Sequence, residues 1–190
     1  MLSGADLTAT ALLSYPLPPD CLHELGRTGA QTPYVELGKC MREFVSASEV
    51  TDFINLTAGD ISSLATRSRG GDIQGPPDWV SFVRCLDAVQ GCGTLTSVAV
   101  TKILHRKRPT LVPINDSRLR GFYGTGNHYS PLFRAIWEDI QQPEVRQLLA
   151  SLSREVRTLS GRPLTVLRAL DIVIWMHQGR VEGSSMAKAC

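Results

Sequence analysis

The chain of 190 residues has no Cys-x-x-Cys pair, no internal repeat, no apolar run long enough to span a bilayer and no large excess of either charge. Each absence removes a class of function. The five cysteines, Cys21, Cys40, Cys85, Cys92 and Cys190, are odd in number and widely scattered, which argues against a zinc site or a disulfide framework. No pattern indicates a metal or an organic cofactor. The longest apolar run, Leu164 to His177, is interrupted by Arg168 and Asp171, so no membrane partner is expected. Without a signal peptide, a reducing cytoplasm is the default location. A net charge of +2 and a pI near 8.3 do not by themselves demand nucleic acid.

What is present is a globular composition, 43% apolar and 20% charged, sufficient for a sizeable core. Tyr15-Pro16-Leu17-Pro18-Pro19 marks residues 1–20 as an extended, proline-rich arm. A single helical domain is expected over 21–178, followed by a flexible tail of small and polar residues over 179–190. Within the domain, apolar spacings of three and four predict helices over 33–45, 57–67, 79–89, 96–105, 130–141, 143–159 and 164–178. Thr57 and Asp60 form a capping-box-like start. Ser68 to Pro77 is the clearest loop. The last helix is apolar nearly all round and reads as the central core helix, where Asp171 needs a partner such as Arg168. His177 and Trp175 can line a pocket there. The fold class is all-α.

The segment 86–124 carries most of the chemistry. A helix ends in Gly91-Cys92-Gly93, where a tight turn favours the positive φ that glycine adopts cheaply. A turn running into a helix presents backbone amides to an anion, here at Gly91, Gly93 and Thr94, with Thr94 or Thr96 as the cap. The plain alternative is an αα-hairpin. From Lys102 to Arg120 stand the cations Lys102, Arg106, Lys107, Arg108, Arg118 and Arg120 against the single acid Asp116, a net +5, which leaves −3 for the rest of the chain. A helix C-terminus accounts for Arg106 to Arg108 but not for Arg118 and Arg120, and phosphate contact accounts for all of them. Asp116 opens a helix, either as a plain N-cap or as an ionised carboxylate able to stabilise positive charge or orient water. Tyr123, His128 and Tyr129 follow it, and Trp79 begins the helix that leads into the glycines. Rings of this kind either stack a base or half-bury against the body.

The order Gly91-Cys92-Gly93, helix, Arg108-Pro109, then Pro113-Ile114-Asn115-Asp116-Ser117-Arg118-Leu119-Arg120 resembles the helix-hairpin-helix DNA glycosylase superfamily. There a Leu-Pro-Gly-Val-Gly hairpin precedes a helix and a Val-Asp-Thr-His-Val-x-Arg segment, whose catalytic aspartate falls on Asp116. The phrases HRKRP, PINDS and LRALDIVIWMH are also similar to those of a group of small actinobacterial proteins. The resemblance implies a helical fold of two lobes around a cleft and Asp116 as the catalytic residue. It departs from the pattern where bifunctional members carry a lysine after the hairpin, since Thr94 and Leu95 stand there and Lys102 lies about two turns on. Gln90 and Cys92 replace the hairpin proline and its apolar residue, and the four closely spaced C-terminal cysteines of cluster-bearing members are absent.

The resemblance therefore implies a monofunctional N-glycosylase that acts on a base in DNA. A non-catalytic nucleic-acid-binding module of the same fold, and an enzyme acting on a small nucleoside or nucleotide, are the alternatives.

Overall fold

The computed structural model describes residues 33–67, 71–93, 95–158 and 161–187; the arm over 1–20 and Thr94 lie outside them. The described residues form eight α-helices and no strand, so the fold is all-α. A single isolated bridge joins Arg157 and Pro163. The chain divides into two compact units, Met1–Ile114 and Asn115–Cys190, and the boundary falls inside the segment 86–124.

The first unit is built from α1 (Pro33–Ser46), α2 (Ala58–Arg67), α3 (Pro77–Ala88) and α4 (Ser97–Lys107). Helix α1 packs along α3. Leu37, Met41 and Phe44 face Phe82, Val83 and Leu86 from the apolar stripes that the sequence spacing predicts. Phe44 and Phe82 meet with ring centroids 5.9 Å apart, and Trp79 lies 5.6 Å from Phe82 and 5.9 Å from Phe53. Burial of each such side chain contributes roughly 2–3 kcal/mol. Helix α2 opens on the expected capping box. Asp60 Oδ2 accepts from the Thr57 amide at 2.7 Å, and Thr57 Oγ1 accepts from the Asp60 amide at 3.2 Å. The connection before α3 crosses Trp79 at Gly75, where φ is +130° and a Cβ would lie 2.7 Å from the indole Cδ1. Only glycine fits there.

The second unit holds α5 (Ser117–Tyr123), α6 (Tyr129–Gln141), α7 (Pro143–Glu155) and α8 (Val166–Ala187), with α8 packed on both α5 and α7. Leu132, Phe133, Ile136 and Ile140 form the buried face of α6. Three expectations change here. Helix α7 stops at Glu155 and not at Leu159, because Val156 turns extended while its amide closes the helix on Leu152 O. Helix α8 runs on to Ala187, so residues 179–187 are helical where a tail was expected. It is also not a central helix. Leu167, Ala169, Leu170 and Ile174 are buried, but Val173, Trp175 and Met176 are exposed. A helix that is apolar all round here covers the core with one face only. The partner foreseen for Asp171 is present, since Arg168 Nη1 donates to its Oδ2.

Candidate nucleic-acid interface

The hairpin is a helix, a 3₁₀ turn over Val89–Gly91, a turn at Gly93 and the cap of α4. Neither Gly91 nor Gly93 has positive φ; among the described residues only Gly75, Gly124 and Gly161 do. A 3₁₀ turn continues α3 through Gly91, and neither glycine takes up the left-handed conformation, so the conformational reason for these two glycines does not hold. Gly91 is small for a different reason, because a Cβ would stand 3.2 Å from Pro33 Cβ at the head of α1. The amides that flank the expected ones are engaged within the turn: Cys92 donates to Val89 O at 2.9 Å and Leu95 to Cys92 O at 2.7 Å. Thr96 is the cap of α4, and its hydroxyl accepts from the Ala99 amide at 3.4 Å.

The last turns of α4 carry Lys102, Arg106 and Lys107, with Arg106 exposed and the two lysines half-exposed. The helix contains no acid. His105 is buried, and its Nδ1 lies 2.6 Å from Val112 O, which fixes the ring proton on that nitrogen and pins the segment after α4 to the helix. Arg108, grouped with the phosphate ligands in the sequence, belongs instead to the core. Its guanidinium lies 5.2 Å from the centre of the Phe44 ring and 3.3 Å from Asp78 Oδ2, and it donates to Ala47 O and Glu49 O. A guanidinium so enclosed is not presented to a phosphate. Trp79 is likewise withdrawn from any ligand, with 0% of its surface exposed.

In the second unit Asp116 is the N-cap of α5, half-buried, with Oδ1 accepting from the Arg118 amide at 2.8 Å. The cap conformation holds this carboxylate in one place at the start of the helix. Arg118 lies over the indole of Trp175, with Cζ 4.0 Å from the ring centroid, and its Nη1 approaches Trp175 O at 3.5 Å. Arg120 donates to Asn115 Oδ1 at 2.9 Å. Phe122, one turn after Arg118, meets the exposed His177 edge-on at 5.9 Å.

Of the remaining rings, Tyr123 donates its hydroxyl to Asp139 Oδ2 at 2.8 Å, and burial together with that carboxylate pushes its phenol far above the usual value. It stays a neutral donor engaged with α6. Tyr129 is buried between His128, stacked on it at 4.7 Å, and Phe133 at 5.7 Å, so it offers no face to a base. His128 is exposed and caps α6, accepting from the Ser130 amide at 3.3 Å. Of the four rings that the sequence singles out, Trp79 and Tyr129 are buried, Tyr123 is half-buried and His128 is exposed. The pairing of Trp175 with Arg118 spans 57 positions and has no local signature.

Among the described residues no group of three or more His, Cys, Asp or Glu side chains is placed to hold a metal ion. None of the described helices is long and apolar enough to cross a membrane. The chain belongs to a family of unknown function (DUF6308), whose model matches residues 72–178 and so spans both α4 and α5. No curated protein and no solved structure matches it.

Proposed function

We propose that the protein binds DNA on a helical scaffold of the helix-hairpin-helix glycosylase kind. The observation that carries this reading is the charge on the two helices on either side of Asp116 in the sequence. Helices α4 and α5 hold Lys102, Arg106, Lys107, Arg118 and Arg120, all at least partly exposed, and neither contains an acid. Lys102 and Arg106 stand one turn apart on α4, where like charges repel by a few tenths of a kcal/mol. Phosphates relieve that repulsion and release counterions as they bind. The test is the affinity for duplex DNA as salt is raised. Wild-type protein loses affinity steeply, and Arg106→Gln lowers both the affinity and the slope.

A second reading adds chemistry, and the half-exposed, fixed carboxylate of Asp116 favours it. When a base–sugar bond breaks, its electron pair leaves with the base and positive charge builds on the sugar carbon. A carboxylate beside that carbon stabilises the charge and steers water to it. The water oxygen bonds to carbon and its proton passes on to the departing base. Incubation with duplexes carrying damaged bases then releases free base, and Asp116→Asn abolishes the release while binding persists. Binding without release from any substrate leaves a binding module. Weak, salt-insensitive DNA affinity with cleavage of free nucleosides identifies an enzyme acting on a small nucleoside or nucleotide.

A further inference from the structure

We infer that Cys40 and Cys85 form a redox-responsive pair, which hydrogen peroxide joins by a disulfide across the packed faces of α1 and α3. The two helices run antiparallel, and two contacts fix their register. Phe44, near the end of α1, meets Phe82, near the start of α3, with ring centroids 5.9 Å apart. At the other end a Cβ on Gly91, just past α3, would stand 3.2 Å from Pro33 Cβ at the head of α1. Cys40 precedes Phe44 by four residues and Cys85 follows Phe82 by three, so each shares the face of its phenylalanine. Measured along the helices, they lie about 6 Å and about 4.5 Å from that contact, in the same direction along the seam. The two cysteines therefore face each other between the fixed points, although they are far apart in sequence. Both are buried, at 6% and 0% exposure. Each is close enough to matter to the other, since Cys40 contributes to pushing the Cys85 thiol up.

The surroundings give the two sulfurs different parts. Cys40 keeps the small exposed area, and Glu36, Glu43 and Arg84 are the charged groups that act on it. Its thiol donates to Glu36 Oε1 at 3.8 Å, while that of Cys85 donates to Ser81 O at 3.3 Å, each within its own helix. Burial, reinforced by nearby carboxylates, pushes both thiols up, so little thiolate exists at neutral pH and the resting pair is inert. Under peroxide the Cys40 thiolate attacks one peroxide oxygen. The O–O bond breaks, a sulfenic acid forms, and the hydroxide released takes up the thiol proton as the first water. The Cys85 sulfur then bonds to the Cys40 sulfur, the S–O bond breaks, and the second water leaves with the Cys85 proton. Two thiols are oxidised to one disulfide and one peroxide is reduced to two waters. A thiol reductant reverses the bridge.

In the experiment the full native chain is treated with hydrogen peroxide at mildly alkaline pH, quenched in acid and digested with trypsin without reduction. Trypsin cuts after Lys39, Arg42 and Arg84, so Cys40 and Cys85 fall on separate peptides. The expected product is a monomer lighter by two hydrogens, whose digest holds a Cys40–Cys85 peptide pair that dithiothreitol separates. Cys92 shares the tryptic peptide of Cys85, so the link should persist in Cys92→Ser and vanish in Cys85→Ser. In the latter Cys40 should accumulate as a sulfenic acid captured by dimedone. Oxidised wild type should unfold at higher urea than reduced wild type, because the bridge closes a long loop in the unfolded chain. Should Cys85→Ser lose its native circular dichroism, fragmentation of the linked wild-type peptides makes the same assignment. A link from Cys40 to any cysteine other than Cys85, a disulfide between two chains, or oxidised Cys40 without a link overturns the pair. So do thiols that all survive the treatment in native protein, and a bridge that forms only once urea has unfolded the chain.

Discussion

Arg108 and Asp78 form a buried ion pair 3.3 Å apart, in side chains 9% and 0% exposed. Asp78 completes its coordination with the amides of Thr51 at 2.8 Å and Trp79 at 2.9 Å, and Arg108 with two carbonyls and the Phe44 ring. The pair thereby ties the end of α4, the start of α3 and the segment 47–51 together. Arg108→Ala leaves Asp78 as an uncompensated buried charge and should destabilise the protein by about 3–5 kcal/mol in urea unfolding. Arg108→Lys should recover little, because an ammonium cannot serve three separated acceptors from the face of a ring.

Gly75→Ala tests the crossing over Trp79. Positive φ and a Cβ 2.7 Å from the indole act together, so a loss above about 2 kcal/mol is expected. Gly124→Ala, at φ +62° with no atom within 4 Å of the added Cβ, should cost about 1 kcal/mol. Similar losses for the two variants in thermal unfolding would contradict the close approach.

The thiols give a pH dependence. Cys40 is pushed from 9.0 up to about 11, first by burial and then by Glu36 and Glu43, and burial pushes Cys85 up as well. An acid whose folded pKa is raised stabilises fully below its unfolded value. That contribution is lost as pH rises from about 9 towards 11, when only the unfolded thiol ionises. Denaturation midpoints should therefore fall above pH 9, and Cys40→Ala should flatten the decline. In native protein at neutral pH, Cys40, Cys85 and Cys92, all buried, should resist alkylation as read by peptide mass spectrometry.

Asp116 separates cap from catalyst. Asp116→Ala should lower stability by about 1 kcal/mol, whereas Asp116→Asn keeps most of the cap. Loss of base release in the asparagine variant at unchanged stability then reports chemistry, while two stable variants with identical DNA behaviour would reduce Asp116 to a cap.

The helices were legible because amphipathic spacing decides burial locally. The stripe of α3, the capping box at Thr57 and the cap at Asp116 were all read from neighbouring residues. The helix ends were less so, since Val156 leaves the helix in a way that its apolar register does not signal. The candidate site was legible as charge but not as partnership. Arg106 and Arg108 are two residues apart in one basic cluster, yet one is exposed and the other is sealed against Asp78, 30 positions away. Tyr129 and Trp79 look like candidate stacking rings and are core, whereas an exposed ring, Trp175, sits in what reads as the most apolar helix. Composition fixes which residues are available, and only the long-range fold decides which of them face water.

DNA binding through the α4 and α5 cations is tested most directly by the dependence of duplex affinity on salt, between about 50 and 200 mM. Each phosphate neutralised contributes about −0.9 to the slope of log K against log salt, so five cations set a limit near −4.5. A slope between about −2 and −4.5, shallower by about one in Arg106→Gln, is the predicted result. An affinity that does not change across that range would contradict the account.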